Sequence, residues 1–188
     1  MTTSLAYEIR EAELGDLRGA RSVMLDTFYR VFGYGYLPDL HDDVIDLAGT
    51  YLDHPTQRLW VAEHAGQIVA TSAIRARGPR NPPHPAWLVD RYPDGTTAQF
   101  FRVYVRPEHQ RRGLASRLVR QGIDFVRETP ALDRLYLHTD TRTPGALEFW
   151  QTFGEIVHDG RDPANTFQTV HLEIPLRHEC DRRSSSQW

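Results

Sequence analysis

Apolar residues recur at three- and four-residue spacing over Leu17, Ala20, Met24, Phe28 and Val31, which predicts a helix over 16–32 with Asp16 at its start. The stretch VFGYGYLP then breaks it with two glycines and a proline. Residues 40–52 predict a second helix. Tyr7 to Arg10 alternates as a short strand does, and RLWVAE (58–63) and IVATSAIR (68–75) flank the turn HAGQ as the arms of a hairpin. GPRNPPHPAWLVDRYPDG is too rich in proline for a strand or helix interior and predicts a long loop holding one helical turn, a candidate lid. AQFFRVYV (98–105) is the most strand-like stretch. Ala115, Leu118, Val119, Gly122, Ile123 and Val126 form one stripe of a helix over 113–128. LYLHT (135–139) predicts a strand, 144–153 a helix with Ala146, Phe149, Trp150 and Phe153 on one face, and 167–174 a last strand.

This order predicts a mixed α/β layer of the α+β type, a largely antiparallel sheet flanked by helices. One domain over 1–176 accommodates it, and the polar end at 177–188 is expected to be a disordered tail. The composition changes little: 40% hydrophobic and 25% charged residues are ordinary for a soluble globular chain. No apolar run approaches the roughly 20 residues of a membrane span, and MTTSLAYEIREAE lacks a secretory pattern, so a cytoplasmic location is expected. Cys180 has no partner for an internal disulfide. All 22 basic residues are arginine, yet the net charge is −3, which argues against general nucleic-acid binding.

The candidate chemistry gathers at VRPEHQRRGLASRLV (105–119), where a strand end, a basic loop and a helix start meet. A helix N-terminus presents unpaired amides and the positive end of its dipole, and a tight loop ahead of it converges several N–H groups on one point suited to phosphate. Gly113 lets a ligand approach closely, and Arg111 and Arg112 add positive charge.

The pattern Q-x-x-G-x-A, after a strand ending V-x-V-x-P and before an amphipathic helix, resembles the GNAT N-acetyltransferase family. LYLHTDTRTPGALEFWQTFGE resembles the family's later strand and helix, and IREAELGDLRGARSVM its first, so the likeness spans about 5–175. The resemblance implies a GNAT fold and an enzyme that transfers acetyl from acetyl-CoA to an amine, most simply of a small molecule, by direct attack in a ternary complex. It implies that Gln110, Arg111, Arg112, Gly113, Leu114, Ala115 and Ser116 form the pyrophosphate loop. It also implies that backbone of Val103, Tyr104 and Val105 pairs with pantetheine as an added strand, with the Val105 N–H as oxyanion donor. Thr143, where the family often has Asn, keeps a hydroxyl for CoA. No metal and no membrane or nucleic-acid partner is expected, and a homodimer is left open.

His138 is the candidate base, on the strand face opposite Leu135 and Leu137, and Glu63 is a second. Trp150 stands where the family often has a tyrosine acid, and an indole N–H is no acid near neutral pH; Tyr104 and Tyr136 are alternatives. That departure keeps a non-catalytic acyl-CoA-binding regulatory module as the rival reading. The acceptor pocket is expected from the aromatics Phe32, Tyr34, Tyr36 and Trp87. Asp39, Asp42 and Asp43 either attract a cationic amine or cap the second helix.

Overall fold

A computed structural model describes residues 6–176, so the expected tail at 177–188, with Cys180, lies outside the described residues. One seven-stranded sheet organises the chain, in the order β1-β2-β3-β4-β5-β7-β6. Strand β1 is Glu8–Glu11, β2 Arg58–His64, β3 Gln67–Arg75, β4 Thr97–Val105, β5 Arg134–Asp140, β6 Glu155–Asp159 and β7 Thr169–Glu173. Every neighbouring pair is antiparallel except β4 and β5. The mixed, largely antiparallel architecture expected from the sequence is the one observed.

The hairpin β2–β3 closes through Ala65 and Gly66, both with positive φ (52° and 76°), the two-residue turn whose twist suits antiparallel arms. Helix α1 is Leu17–Asp26. The predicted helix continues from there as a wider π-type turn over Thr27–Phe32 and stops at Gly33, whose left-handed φ of 76° ends it. The second predicted helix is not continuous. It splits into α2, Asp42–Ile45, and a π-type turn, Ala48–Leu52, because Asp46 leaves helical geometry (φ −120°, ψ 75°) and its carboxylate accepts from the Gly49 N–H at 2.9 Å instead. The proline-rich segment contains α3, Ala86–Arg91. It is no free lid, since its Leu88 and Tyr92 are fully buried against Tyr136. Helix α4 is Leu114–Glu128 and α5 is Ala146–Gln151. Strand β6 escaped the sequence reading, because an outermost strand with no buried residue carries no alternating apolar signal.

Two layers cover the sheet. On one face α4 and α5 bury Trp60, Phe100, Leu114, Leu118, Leu137 and Trp150. Gly122 of α4 sits so close to Phe100 that a Cβ there would lie 2.6 Å from its ring. On the other face α1 and the 40–52 segment bury Met24, Phe28, Leu47, Tyr51 and Leu59. Among the described residues no helix is long and apolar enough to cross a membrane.

Candidate functional site

The site begins where the sheet stops being a sheet. Strands β4 and β5 pair only over Thr97–Gln99 and Arg134–Tyr136; beyond that no register joins them, although both run on to Val105 and Asp140. A parallel pair that parts in this way leaves strand backbone without partners. The register with β3 decides which groups are free. The Arg106 N–H donates to the Val69 carbonyl at 2.9 Å, so antiparallel alternation turns Tyr104 toward β3 and turns the backbone of Val103 and Val105 toward the gap. Gln110 confirms the direction, since its amide donates to the Val105 carbonyl at 3.1 Å. The backbones of Val103 and Val105 therefore face the gap, where no strand pairs with them. The Tyr104 backbone faces β3, and its ring joins an aromatic wall instead.

A bulge shapes the opening. Between Ala73↔Phe101 and Thr71↔Tyr104, β4 has one residue more than β3, and Arg102 takes a φ of 53°. The Thr71 hydroxyl donates to the Arg102 carbonyl at 2.7 Å. The bulge turns the Arg102 side chain inward onto Asp43: its Nε donates to Oδ2 at 2.9 Å, a second bond joins Nη2 to Oδ1, and Nη2 also reaches the Leu40 carbonyl at 2.8 Å. The Tyr51 hydroxyl donates to the same carboxylate at 2.6 Å. Burial resists the charge on Asp43, but Arg102 and Tyr51 prevail and hold its carboxyl below the usual range. Asp43 thus serves the frame of the site and has no free oxygen for a cationic amine. Asp42 is likewise bonded to Arg75, at 3.1 and 3.4 Å.

The basic loop between β4 and α4 lies at the β4 end of the gap. Residues 107–109 make a 3-10 turn, Arg111 (φ 59°) and Gly113 (φ 73°) are both left-handed, and α4 starts at Leu114. Left-handed residues of this kind turn successive N–H groups toward one side of a loop. A Cβ on Gly113 would have nothing within 4 Å, so the space above it is open to a ligand. The loop is braced from behind by Tyr7, whose hydroxyl bonds His109 Nδ1 at 2.9 Å. Arg111 and Arg112 are exposed, whereas Arg106 turns away to Asp26 and Ser22. Thr143 sits across the gap after β5, its N–H bonded to the Asp140 carbonyl at 3.0 Å and its side chain half-buried.

His138 occupies the β5 side of the gap. As the alternation required, Leu135 and Leu137 enter the α4 core while Tyr136 and His138 face the other way. Its Nδ1 is 3.2 Å from Gln99 Nε2, a bond from β5 to β4 close to where their pairing ends. The residue reaches solvent at the cleft surface, but the protein packed around it, with His84 and then Arg77 nearby, holds its pKa below the ordinary histidine value. At neutral pH the imidazole is therefore uncharged, with a lone pair to offer. Around it stand His84, with ring centroids 5.1 Å away, and His171 at 5.8 Å. The buried His171 is fixed by the Tyr136 hydroxyl at 2.6 Å on Nδ1, so Tyr136 is committed there. Sequence reasoning missed His84 and His171; only the sheet order β4-β5-β7 and the packing of the proline-rich segment bring them to His138. Among the described residues no group of three or more His, Cys, Asp or Glu side chains is arranged to hold a metal ion.

The structure does not bring Glu63 to His138. It lies on β2, two strands from β4, and accepts from Arg10 at 2.8 Å. Trp150 is a core residue, packed on Phe100 with centroids 5.4 Å apart and only 8% exposed. Phe32 and Tyr34 stack at 5.5 Å, Phe32 meets Tyr104 edge-on at 5.8 Å, and Tyr34 meets Phe167 at 6.1 Å. The four rings run in contact from Tyr104 on β4 to Phe167, which Arg142 after β5 overlies at 5.2 Å, and so bridge the end of the gap; Phe167 was not foreseen. Tyr36 lies behind them, against His41. Trp87 is half-exposed beside His158 of β6, away from the wall.

Solved acetyltransferases share this fold. A GNAT-family acetyltransferase from Staphylococcus aureus superposes with a TM-score of 0.68 at 16% identity, over 90% of this chain and 100% of that one. The Salmonella typhimurium acetyltransferase yncA, solved with acetyl-CoA, gives 0.65 at 12% identity, over 93% and 96%. The model of the acetyltransferase (GNAT) family matches residues 21–154, and the chain belongs to that family. In sequence it is 31% identical to N-acetyltransferase 8 of Rattus norvegicus over 115 residues, 61% of this chain and 46% of that protein. The mouse N-acetyltransferase 8 matches at 32% over the same length, 61% of this chain and 45% of that protein. The chain thus spans about half the length of the curated relatives it matches.

Proposed function

We propose that the chain is an acetyl-CoA-dependent N-acetyltransferase that acetylates a primary amine of a small molecule by direct attack in a ternary complex. The single observation that carries this reading is the parting of β4 from β5, which leaves the backbone of Val103 and Val105 without a strand partner beside the open, left-handed Gly113 loop. The donor's diphosphate sits over the amides from Arg111 to Ser116, with Arg111 and Arg112 at the mouth. Pantetheine lies along β4 as an added strand, taking the place of the Gln110 side chain on the Val105 carbonyl.

The thioester carbonyl then reaches the end of β4, where the Val105 N–H donates to its oxygen as that oxygen becomes an oxyanion. The amine lone pair attacks the carbonyl carbon, a C–N bond forms, the C–S bond breaks and the CoA thiolate departs. The amine proton passes to His138. A thiol has a pKa of about 8.5, so its thiolate leaves without the tyrosine acid that Trp150 replaces. One similar structure solved with acetyl-CoA, another solved with coenzyme A and the N-acetyltransferase names of the relatives support the reading.

The test is thiol release from acetyl-CoA with a panel of amines, beside calorimetry of acetyl-CoA. Amine-stimulated release supports the reading, and replacing His138 with alanine then lowers kcat by about 100-fold or more with acetyl-CoA affinity kept. Binding without turnover on any amine would favour the acyl-CoA-binding module instead.

A further inference from the structure

Most charges on the sheet face that carries His138 are paired. Asp43 is committed to Arg102 and Tyr51, Glu63 to Arg10, and Asp140 to Arg142. Asp42 accepts two bonds from Arg75 and lies only at 3.9 Å from Arg77. Arg77 is the exception among these arginines: its side chain is 19% exposed, yet among the described residues it makes no hydrogen bond. A guanidinium this enclosed has five donors in a planar fork that matches two oxygens of one carboxylate.

Its position is held by the chain beside it. Gly78 packs so tightly on the Tyr92 carbonyl that a Cβ there would lie 1.8 Å from the oxygen, and the Gly78 N–H donates to Asp94 Oδ1 at 2.8 Å. Arg77 is therefore presented from a fixed segment, a requirement for geometric recognition. Arg75 pairs with Gln99, whose amide lies 3.2 Å from His138 Nδ1, so Arg77, two residues further along, stands beside the start of the β4–β5 gap. Asp42 and Asp94 favour its charge, but burial first and then Arg80 and Arg75 oppose it and prevail. An anion beside Arg77 would relieve that repulsion.

We propose that Arg77 binds a carboxylate of the acceptor, so that the acceptor is an amino acid whose amine is directed at His138. The inference rests on the reading of the His138 cleft as the acceptor site. The wall of Phe32, Tyr34, Tyr104 and Phe167 gives such a molecule a place for an apolar body.

The test uses the full chain saturated with CoA and pairs of acetylated probes that differ only in the carboxylate. N-acetylphenylalanine is set against N-acetylphenethylamine, with β- and γ-amino acid pairs for other spacings. Calorimetry is expected to show the carboxylate form of at least one pair bound about tenfold tighter or more. Arg77→Met is expected to bring that ratio near one, and Arg77→Lys to restore part of it. Thermal melting checks that both variants are folded. Equal affinities within every pair, no binding of any probe, or a ratio that survives in Arg77→Met would each overturn the proposal. Acetyl-CoA is titrated first: failure to bind it would refute the acetyltransferase reading, whereas donor binding without carboxylate discrimination refutes the Arg77 assignment alone.

Discussion

Gly113 separates the stability of the fold from the binding of the donor. Its φ of 73° is left-handed, and a Cβ built there meets nothing within 4 Å. Gly113→Ala therefore brings no clash in the free protein and costs the strain of a left-handed non-glycine residue, about 1 kcal/mol. For a domain of this size that is a fall in Tm of roughly 2–4 °C. The same Cβ, and far more an indole, fills the space in which a diphosphate must approach the loop. Losing two charge-assisted N–H bonds at about 1.5 kcal/mol each reduces acetyl-CoA affinity by about 100-fold. Gly113→Trp is expected to melt within several degrees of the natural protein and to show no calorimetric acetyl-CoA binding. Gly78→Ala is the control with the opposite outcome. Its Cβ would lie 1.8 Å from the Tyr92 carbonyl oxygen, so it is expected to destabilise by about 3 kcal/mol or more. A folded Gly113→Trp protein that still binds acetyl-CoA at natural affinity would show that the diphosphate does not lie on this loop.

Three further outcomes follow from the same structure. Asp43→Ala leaves Arg102 buried without its counter-charge and is expected to cost about 3–5 kcal/mol in urea unfolding, while replacing Asp43 and Arg102 together by apolar residues is expected to cost less. Trp150→Phe is expected to leave kcat within about twofold, because the indole packs on Phe100 and has no acid role, whereas Trp150→Ala is expected to destabilise by about 3–5 kcal/mol. The buried His41 and His171 are pushed by desolvation down to about 4 and about 3. The unfolded chain therefore binds more protons than the folded one between pH 6.5 and those values. Their contribution is present in full above pH 6.5 and lost as the pH falls through that window; Tm is expected to be flat near pH 7–8 and to drop steadily toward pH 4, and a Tm unchanged at pH 4.5 would contradict the burial of both rings.

The elements that bury a regular apolar stripe were legible in the sequence. Strand β4, helix α4 and the hairpin β2–β3 carry periods of two or near four, and a turn with a glycine sets the hairpin register whatever surrounds it. Gly113 and the alternation of His138 against Leu137 were legible for the same reason, since a backbone need and a strand period are local properties. The edge strand β6 and the break at Asp46 were not, because one buries nothing and the other follows from a side chain competing for a backbone N–H.

The tertiary structure alone decided which charges are free. Asp42, Asp43, Glu63, Arg77 and Arg102 look alike along the chain, yet packing commits four of them to partners and leaves Arg77 without a hydrogen bond among the described residues. It also decided that Trp150 belongs to the core, that Tyr104 lends a ring to the cleft, and that His84 and His171 flank His138. Sequence by itself determined the periods, the turns and the loop of Gly113, because those depend on neighbours within a few residues. The parting of β4 from β5, and everything gathered around it, depends on strands that meet only after the whole sheet has formed.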